Sequence, residues 1–278
     1  MSTAIGKPIP RVDGRLKVTG GAKYAAEFNV PDLTYGVVLS GSIAKGKIIR
    51  FDDSEALAVP GVLAVFSHKN RPRLAWLDLS YKDQDAPVGS SFRPLRDAEI
   101  KFSGQPIALV VAETFEVARY AATLIRVEYQ QEPHETELEK HLDGAKKPGR
   151  GVPDLIKPPP PPDRGDFKKA FAEAPVKMAG EYVHMPEHHN PMELFASTAV
   201  YEQDGKLTIY DKTQGAHNSQ LYVSQVFNLP FRDVRVVSPF VGGAFGSGLR
   251  PQYQLFLAVL AARELKRNVR VSLTRQQM

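Results

Sequence analysis

A run of five consecutive prolines at positions 158–162 constrains the fold of this chain more than any other feature. Proline has no backbone N–H and a fixed φ, so such a run cannot lie inside a helix or a central strand. It prefers an extended polyproline conformation, which makes a stiff connector over a surface or between domains. We therefore expect two packed regions, separated by a connector at residues 133–166.

Composition limits the kinds of protein this chain can be. It has 278 residues, of which 42% are hydrophobic, enough for one large or two modest domains. It has no cysteine, so any iron–sulfur cluster must lie on another chain. Its 36 basic and 31 acidic residues are spread along the sequence, without a basic stretch interleaved with aromatic residues. We expect no nucleic-acid partner.

The apolar segments are short. The first 14 residues have no apolar core of signal-peptide length, and no uninterrupted apolar run reaches about 18 residues. The sequence predicts a soluble chain with no membrane span and no export signal of its own.

We predict that the region before the connector, residues 10–132, forms a mixed α+β module. Strand-like runs and two helical patterns alternate within it. The strand-like runs are residues 34–48, 61–67, 105–113 and 125–130, and the helical patterns are residues 53–58 and 114–124.

The region after the connector has the same mixed character. We predict a hairpin that turns at Asp204–Gly205, because a strand-like run lies on each side of this turn signal. We expect the final strand-like run to end as an unpaired sheet edge that another segment covers. The other predicted strands are residues 177–183, 196–201, 234–237 and 268–274, and the predicted helices are residues 217–227 and 251–266.

A glycine-rich turn, "SPFVGGAFGSGLR" at residues 238–250, joins a predicted strand to a predicted helix. Glycine accepts positive φ and lets backbone amides approach a ligand, and Pro251 lies where the helix would begin. The spacing is neither that of a dinucleotide-binding loop nor that of a phosphate-binding loop with its lysine. The turn therefore predicts a site for an anion or a polar cofactor edge, with a plain structural turn as the alternative.

Two further parts of the sequence contain residues suited to binding a metal or a polar ligand. His184, His188 and His189 lie beside acidic residues and by composition suit a metal site, although Pro186 and Pro191 prevent one helix from presenting them together. Gln214 has an amide donor and an acceptor at the end of a predicted strand, which suits it to orienting a polar ligand.

In their order along the chain, these segments resemble the molybdenum-binding large subunit of the xanthine dehydrogenase and aldehyde oxidase family. The likeness is greatest to bacterial aldehyde oxidoreductases whose molybdenum, flavin and iron–sulfur parts are separate subunits. The segments that carry it are "RVDG" (11–14), "TGGAKYAAEF" (19–28), "SGSIAKGKI" (40–48), "GQPIALVVAET" (104–114), "MELFASTAV" (192–200), "TQGAHN" (213–218) and "VRVVSPFVGGAFGSG" (234–248).

The resemblance implies an α+β fold and a division into domains. Residues 10–132 are expected to form the α/β hammerhead domain, and residues 167–278 the first part of the molybdopterin-binding domain. Where the aldehyde branch usually has Met-Glu-Pro, this chain has Met192-Glu193-Leu194.

The resemblance also implies the residues of the cofactor site. Gln214, Phe245 and Gly246 are expected beside the molybdenum centre, and Gly242 and Gly243 are expected to let backbone amides reach the cofactor.

The resemblance also implies which substrates the pocket accepts. In purine-oxidising relatives the turn continues Gly-Gly-Lys-Glu and the glutamate binds the purine, whereas this chain has Ser-Gly-Leu-Arg at residues 247–250. Leu249 cannot make those hydrogen bonds, so aldehydes are the expected substrates. No catalytic residue is expected in this chain, because the general-base glutamate of relatives falls beyond residue 278.

The implied activity is oxidation of small aldehydes to carboxylic acids with water as the oxygen source. The cofactor is molybdopterin or its cytosine dinucleotide, and electrons pass to iron–sulfur clusters and FAD on partner subunits. The other expected partner is the remaining carboxy-terminal part of the molybdenum-binding unit, without which this chain is expected to be inactive. The expected compartment is the cytoplasm, or the periplasm after co-export with a signal-bearing partner.

Two other functions stay open. The fold could serve as a noncatalytic, cofactor-free assembly or binding module. Alternatively, the three histidines could form the centre of a metallohydrolase.

Overall fold

The computed structural model of the chain describes residues 4–72, 74, 92–145, 162 and 164–278. Half of the predicted proline-rich connector, including four of its five consecutive prolines, falls outside these residues. The described segments before and after it form two sheets with helices packed against them.

Most strands overlap predicted runs on both sides of the connector, although the single run predicted at residues 34–48 forms two strands in different sheets. They are β1 Leu33–Ser40, β2 Gly46–Asp52, β3 Val62–Ser67, β4 Glu99–Ile100, β5 Pro106–Ala112, β6 Arg126–Gln131, β7 Ala196–Tyr201, β8 Leu207–Asp211, β9 Val234–Val237 and β10 Asn268–Ser272. The α-helices are α1 Gly14–Val18, α2 Ser54–Leu57, α3 Phe115–Leu124, α4 Phe167–Glu173, α5 Ala216–Val226 and α6 Tyr253–Leu265. Short 3-10 helices are Ala25–Glu27, Leu138–Gly144, Phe231–Asp233 and Arg275–Gln277.

The larger sheet has seven strands in the order β3-β5-β1-β10-β7-β8-β9, and a second sheet has the order β4-β2-β6. The larger sheet therefore takes strands from both sides of the connector. The junction is a parallel pair of β1 and β10, with Leu33 opposite Asn268 and Gly36 opposite Val271. The Asn268 side chain strengthens it, because Nδ2 donates to the Pro31 carbonyl at 2.7 Å.

The expectation that the last strand forms an unpaired edge is wrong. β10 lies in the middle of the larger sheet, parallel to β1 and antiparallel to β7. Val269 and Val271 are fully buried, as expected for a strand with neighbours on both sides. The sequence identifies the strand but not its partner, which is more than 200 residues away.

Helices cover both faces of the larger sheet. On β5, Leu109 and Val111 face a core that includes α5 and α6, whereas Ala108 and Val110 face a core that includes α3. Burial on both faces explains why β5 is an uninterrupted apolar run without alternation.

Helix α6 fixes the exit of the glycine-rich turn. Its residues 254–262 are all buried, and the helix packs against β7 and β10. A helix that is apolar on all sides belongs in a core. Just before it, Gln252 Nε2 donates to the Ser247 carbonyl at 2.7 Å, so the turn is bonded to the segment that enters the helix.

Two other predictions have clear outcomes. The hairpin is confirmed, because β7 and β8 pair antiparallel around a turn in which Gly205 has φ +80°. The predicted strand at residues 177–183 is wrong, since this segment forms no sheet ladder and exposes Met178 and Tyr182 to solvent. Its β-branched and aromatic residues are typical of a strand, but no strand of the described residues pairs with this segment.

Within the described ranges, none of the helices is long and apolar enough to cross a lipid bilayer.

Candidate functional site

Two segments that are separated in sequence meet at one end of the larger sheet. β8 and β9 are parallel neighbours, with Tyr210 opposite Val237, so the segments that follow them emerge at the same edge. The first leads to Gln214 and the second to the glycine-rich turn at residues 238–250. The carboxyl ends of parallel strands are where ligands commonly bind in α/β sheets.

Gln214 is bonded to the glycine-rich turn in a fixed orientation. Its Oε1 accepts the N–H groups of Gly246 at 3.1 Å and Gly248 at 3.2 Å, and its own N–H donates to the Gly248 carbonyl at 2.8 Å. Because the oxygen accepts two amides, the side-chain orientation is set. The Nε2 group has no acceptor among the described residues, and the residue is exposed. Gln214 therefore presents a free donor.

Neighbouring polar side chains hold the end of the turn. Thr213 Oγ1 donates to the Gly248 carbonyl at 3.2 Å and accepts the Gly215 N–H at 3.0 Å. Asn218 Nδ2, on α5, donates to the Leu249 carbonyl at 2.9 Å. The turn is therefore held at several points, so its shape does not depend on a bound ligand.

The centre of the turn exposes backbone. Gly243 and Gly246 have φ of +90° and +99°, and a Cβ on Gly246 would meet no heavy atom within 4 Å. Phe245 also has positive φ, which is uncommon for a residue other than glycine, and its side chain is 75% exposed. Bare backbone beside open space and an exposed ring is an arrangement that suits a ligand surface.

Glu193 connects three parts of the chain, and the sequence did not assign it this role. Its Oε2 accepts the Gly242 N–H at 2.6 Å, and its Oε1 accepts the Ala25 N–H at 3.4 Å. Its own N–H donates to the Gly242 carbonyl at 3.1 Å. A Cβ on Gly242 would lie 2.6 Å from the Cβ of Glu193, so glycine is needed there for close approach. Burial raises the pKa of this carboxyl.

Two consecutive charged residues at the end of β8 are buried. Asp211 accepts hydroxyl hydrogens from Ser197 at 2.6 Å and Ser219 at 2.8 Å, and burial raises its pKa to about 6. Lys212 is 2% exposed, and its Nζ has no hydrogen-bond acceptor among the described residues. This Nζ lies 3.6 Å from the centroid of the Phe195 ring, and burial lowers its pKa. Periodicity alone did not reveal either residue.

The remaining candidates fall in two places. Leu249 lies at the end of the turn and is 50% exposed. His184, His188 and His189 are exposed on the extended segment before β7. In the part of the chain that the structure describes, no three histidine, aspartate or glutamate side chains are grouped closely enough to hold a metal ion.

Comparison with known proteins identifies both regions. Residues 19–133 match the aldehyde oxidase and xanthine dehydrogenase a/b hammerhead domain, and residues 155–278 match the molybdopterin cofactor-binding domain. The chain belongs to the aldehyde oxidase and xanthine dehydrogenase family. Membership of this family and the α+β fold with these two domains confirm what the sequence motifs predicted.

Curated relatives in this family include molybdenum-binding subunits. The chain is 36% identical over 273 residues to the aldehyde oxidoreductase molybdenum-binding subunit PaoC of Escherichia coli K12. It is 30% identical over 275 residues to the putative xanthine dehydrogenase molybdenum-binding subunit XdhA of the same strain. The alignments cover 98% and 96% of this chain but 35% and 36% of those proteins. The chain thus spans about a third of their length.

Solved structures of the family share the fold. CO dehydrogenase from Oligotropha carboxidovorans has a TM-score of 0.78 at 24% identity, covering 98% of this chain and 35% of that one. Aldehyde oxidoreductase from Desulfovibrio gigas has a TM-score of 0.69 at 25% identity, covering 96% of this chain and 30% of that one.

Proposed function

We propose that this chain forms part of the molybdenum-binding unit of an enzyme that oxidises aldehydes to carboxylic acids with water as the oxygen source. The observation that carries the proposal is the bond between Gln214 and the glycine-rich turn, which leaves a donor and bare backbone at one open surface. The match to a molybdopterin cofactor-binding domain and the likeness to PaoC support it.

The residues of the site fit a pterin-bound metal. The chain has no cysteine, and its exposed histidines are not grouped, so it is suited to hold the organic part of the cofactor. Gln214 Nε2 would donate to a polar atom, and the backbone at Gly246 leaves room for close approach. When bound, the molybdenum cofactor supplies oxygen-atom transfer and takes up two electrons. The exposed ring of Phe245 would cover one side of the site and keep water away.

The general base is expected from outside these residues, because neither carboxylate near the turn, half-buried Glu193 or buried Asp211, is free to take a proton from a reactant. Both oxygens of Glu193 accept backbone amides. Asp211 is buried, and its two carboxylate oxygens accept the hydroxyl hydrogens of Ser197 and Ser219. A positioned base contributes about 10²–10⁴-fold in rate. We therefore expect the isolated chain to show no aldehyde-dependent dye reduction, and activity to require the rest of the molybdenum-binding unit.

Leu249 favours aldehydes over purines. Its side chain has no polar atom, so a purine bound against it would leave a hydrogen-bonding group without a partner. Such a loss costs about 1–3 kcal/mol, or roughly five- to 150-fold in turnover efficiency. The test compares kcat/KM for benzaldehyde and xanthine in the complete enzyme, with Leu249→Glu as the matched variant. Equal turnover of both substrates by the unmodified enzyme contradicts this assignment.

The proposed partners are an iron–sulfur subunit, an FAD subunit and the remaining part of the molybdenum-binding unit. Iron–sulfur clusters need thiolate ligands that these residues do not provide. Metal analysis of the purified complex separates this function from a noncatalytic assembly module. We expect molybdenum, iron and flavin to copurify with the chain, whereas a complex that contains this chain and lacks molybdenum contradicts the proposal.

A further inference from the structure

Glu193 has the geometry of an anchor. Its carboxylate accepts the Gly242 N–H at 2.6 Å, near the start of the glycine-rich turn, while its main chain donates to the carbonyl of the same glycine. Through Oε1 it also contacts the Ala25 N–H, which lies 168 positions away in sequence. One side chain therefore connects the amino-terminal segment to the turn.

The position of Glu193 is itself fixed by its neighbours. On one side, the guanidinium of Arg275 donates to the carbonyls of Pro191 and Met192. On the other side, the chain enters β7 at Ala196 within three residues. The main chain on both sides of Glu193 is thus held by contacts other than its bond to Gly242.

Lys212 supplies the opposite charge. Its ammonium is enclosed against the ring of Phe195, two residues from Glu193, and has no hydrogen-bond acceptor among the described residues. An enclosed ammonium is costly unless a negative charge compensates it. The charges that act on it are those of Glu193 and Asp211, which favour its protonated form, and Arg275, which opposes it.

We propose that Glu193 positions the glycine-rich turn: its half-buried carboxylate holds the Gly242 amide, and the enclosed ammonium of Lys212, which makes no ion-pair contact with it, favours its charged form. Both are positioning residues, and this role rests on the proposed function of the turn as a cofactor surface. Burial raises the pKa of Glu193, the two amide hydrogen bonds and Lys212 act to lower it, and Glu27 acts to raise it. Protonation of Glu193 weakens its hold on Gly242, so order in the turn depends on pH.

The experiment measures hydrogen exchange of the turn in the full chain as a function of pH. Glu193→Gln and Lys212→Met are compared with Glu137→Gln, a control carboxylate in a surface ion pair with Lys140. In the unmodified chain, protection of residues 239–249, corrected for intrinsic exchange, is expected to fall as pH drops through the ionisation of Glu193. Glu193→Gln is expected to speed exchange there about ten- to a hundredfold near neutral pH, the range for a hydrogen bond to a charged group, and to abolish the pH dependence.

Lys212→Met keeps the shape of the buried side chain while removing its charge, so it is expected to fold. It should move the loss of protection to higher pH, a shift that a merely structural lysine would not produce. Exchange in Glu193→Gln equal to that in Glu137→Gln, or an unchanged pH midpoint in Lys212→Met, overturns the proposal.

The exchange measurement needs neither cofactor nor substrate. If the complete enzyme holds no molybdenum, the proposed function fails while the exchange result is unaffected. If it holds molybdenum, Glu193→Gln is expected to lower the metal content relative to Glu137→Gln, and equal content shows that the anchor does not serve the cofactor.

Discussion

Replacing Gly246 by valine tests whether the open space above the glycine-rich turn belongs to the cofactor. A Cβ at Gly246 meets no heavy atom within 4 Å, so the chain itself has room for the new side chain. Gly104 is a matched control, because it also has positive φ, +77° against +99°, and no atom within 4 Å of a built Cβ. The two substitutions therefore share their backbone strain and differ in location.

The expected magnitudes follow from this match. A non-glycine residue in such a conformation costs on the order of 1–3 kcal/mol of stability, and this cost should be similar for both variants. If a cofactor occupies the space at Gly246, the valine methyl groups overlap it, and overpacking costs about 1–3 kcal/mol of binding energy. That loss is roughly ten- to a hundredfold in affinity and applies to Gly246→Val alone.

The assay combines denaturant unfolding of the chain with molybdenum content and aldehyde turnover of the complete enzyme. We expect similar losses in the free energy of unfolding for both variants, and a loss of molybdenum confined to Gly246→Val. Molybdenum content and activity in Gly246→Val equal to those of Gly104→Val refute the reasoning. If the turn is purely structural, molybdenum content and activity are expected to be equal in the two variants.

Three further predictions concern stability and are checked by denaturant unfolding. Asp211→Asn should remove a pH dependence of the free energy of unfolding. The folded state keeps the Asp211 proton up to the raised pKa of about 6, whereas the unfolded state loses it at the ordinary pKa of 3.8. As pH rises between these two values, the free energy of unfolding of the wild type therefore falls by about 3 kcal/mol relative to the variant. A parallel pH course in both proteins contradicts this. Gly46→Ala should cost about 3 kcal/mol or more, since its Cβ would lie 2.1 Å from the Gln130 carbonyl oxygen; a loss below about 1 kcal/mol contradicts it. Asn268→Ala removes side-chain bonds to the Tyr201 N–H and the Pro31 carbonyl and should cost about 1–3 kcal/mol, whereas unchanged stability shows that they contribute nothing.

Several features of this protein were predictable from local patterns in the sequence. β9 occupies the predicted residues, and α3 begins one residue after Thr114, whose hydroxyl caps the helix by accepting the Val117 N–H. The hairpin turn at Gly205 was predictable because positive φ there favours glycine. Such features depend on residues within a few positions of one another, so the sequence alone determines them.

The candidate site was partly predictable. The motif resemblance named Gln214 and Gly246, and the structure brings them within hydrogen-bond distance. Their assignment to a cofactor stays a prediction. The resemblance gave no role to Glu193 or Lys212, because their roles depend on contacts with residues distant in sequence.

Only the tertiary structure decided which segments become neighbours. The sequence predicts β10 as a strand, but its place between β1 and β7 depends on how the regions before and after the connector pack together. The contact between Glu193 and Ala25 spans 168 positions, and no local pattern encodes it. Hydrophobic periodicity shows which face of a strand is buried and leaves open what it is buried against. The partner is decided by the packing that buries most apolar surface while satisfying the backbone polar groups, which is a property of the whole chain.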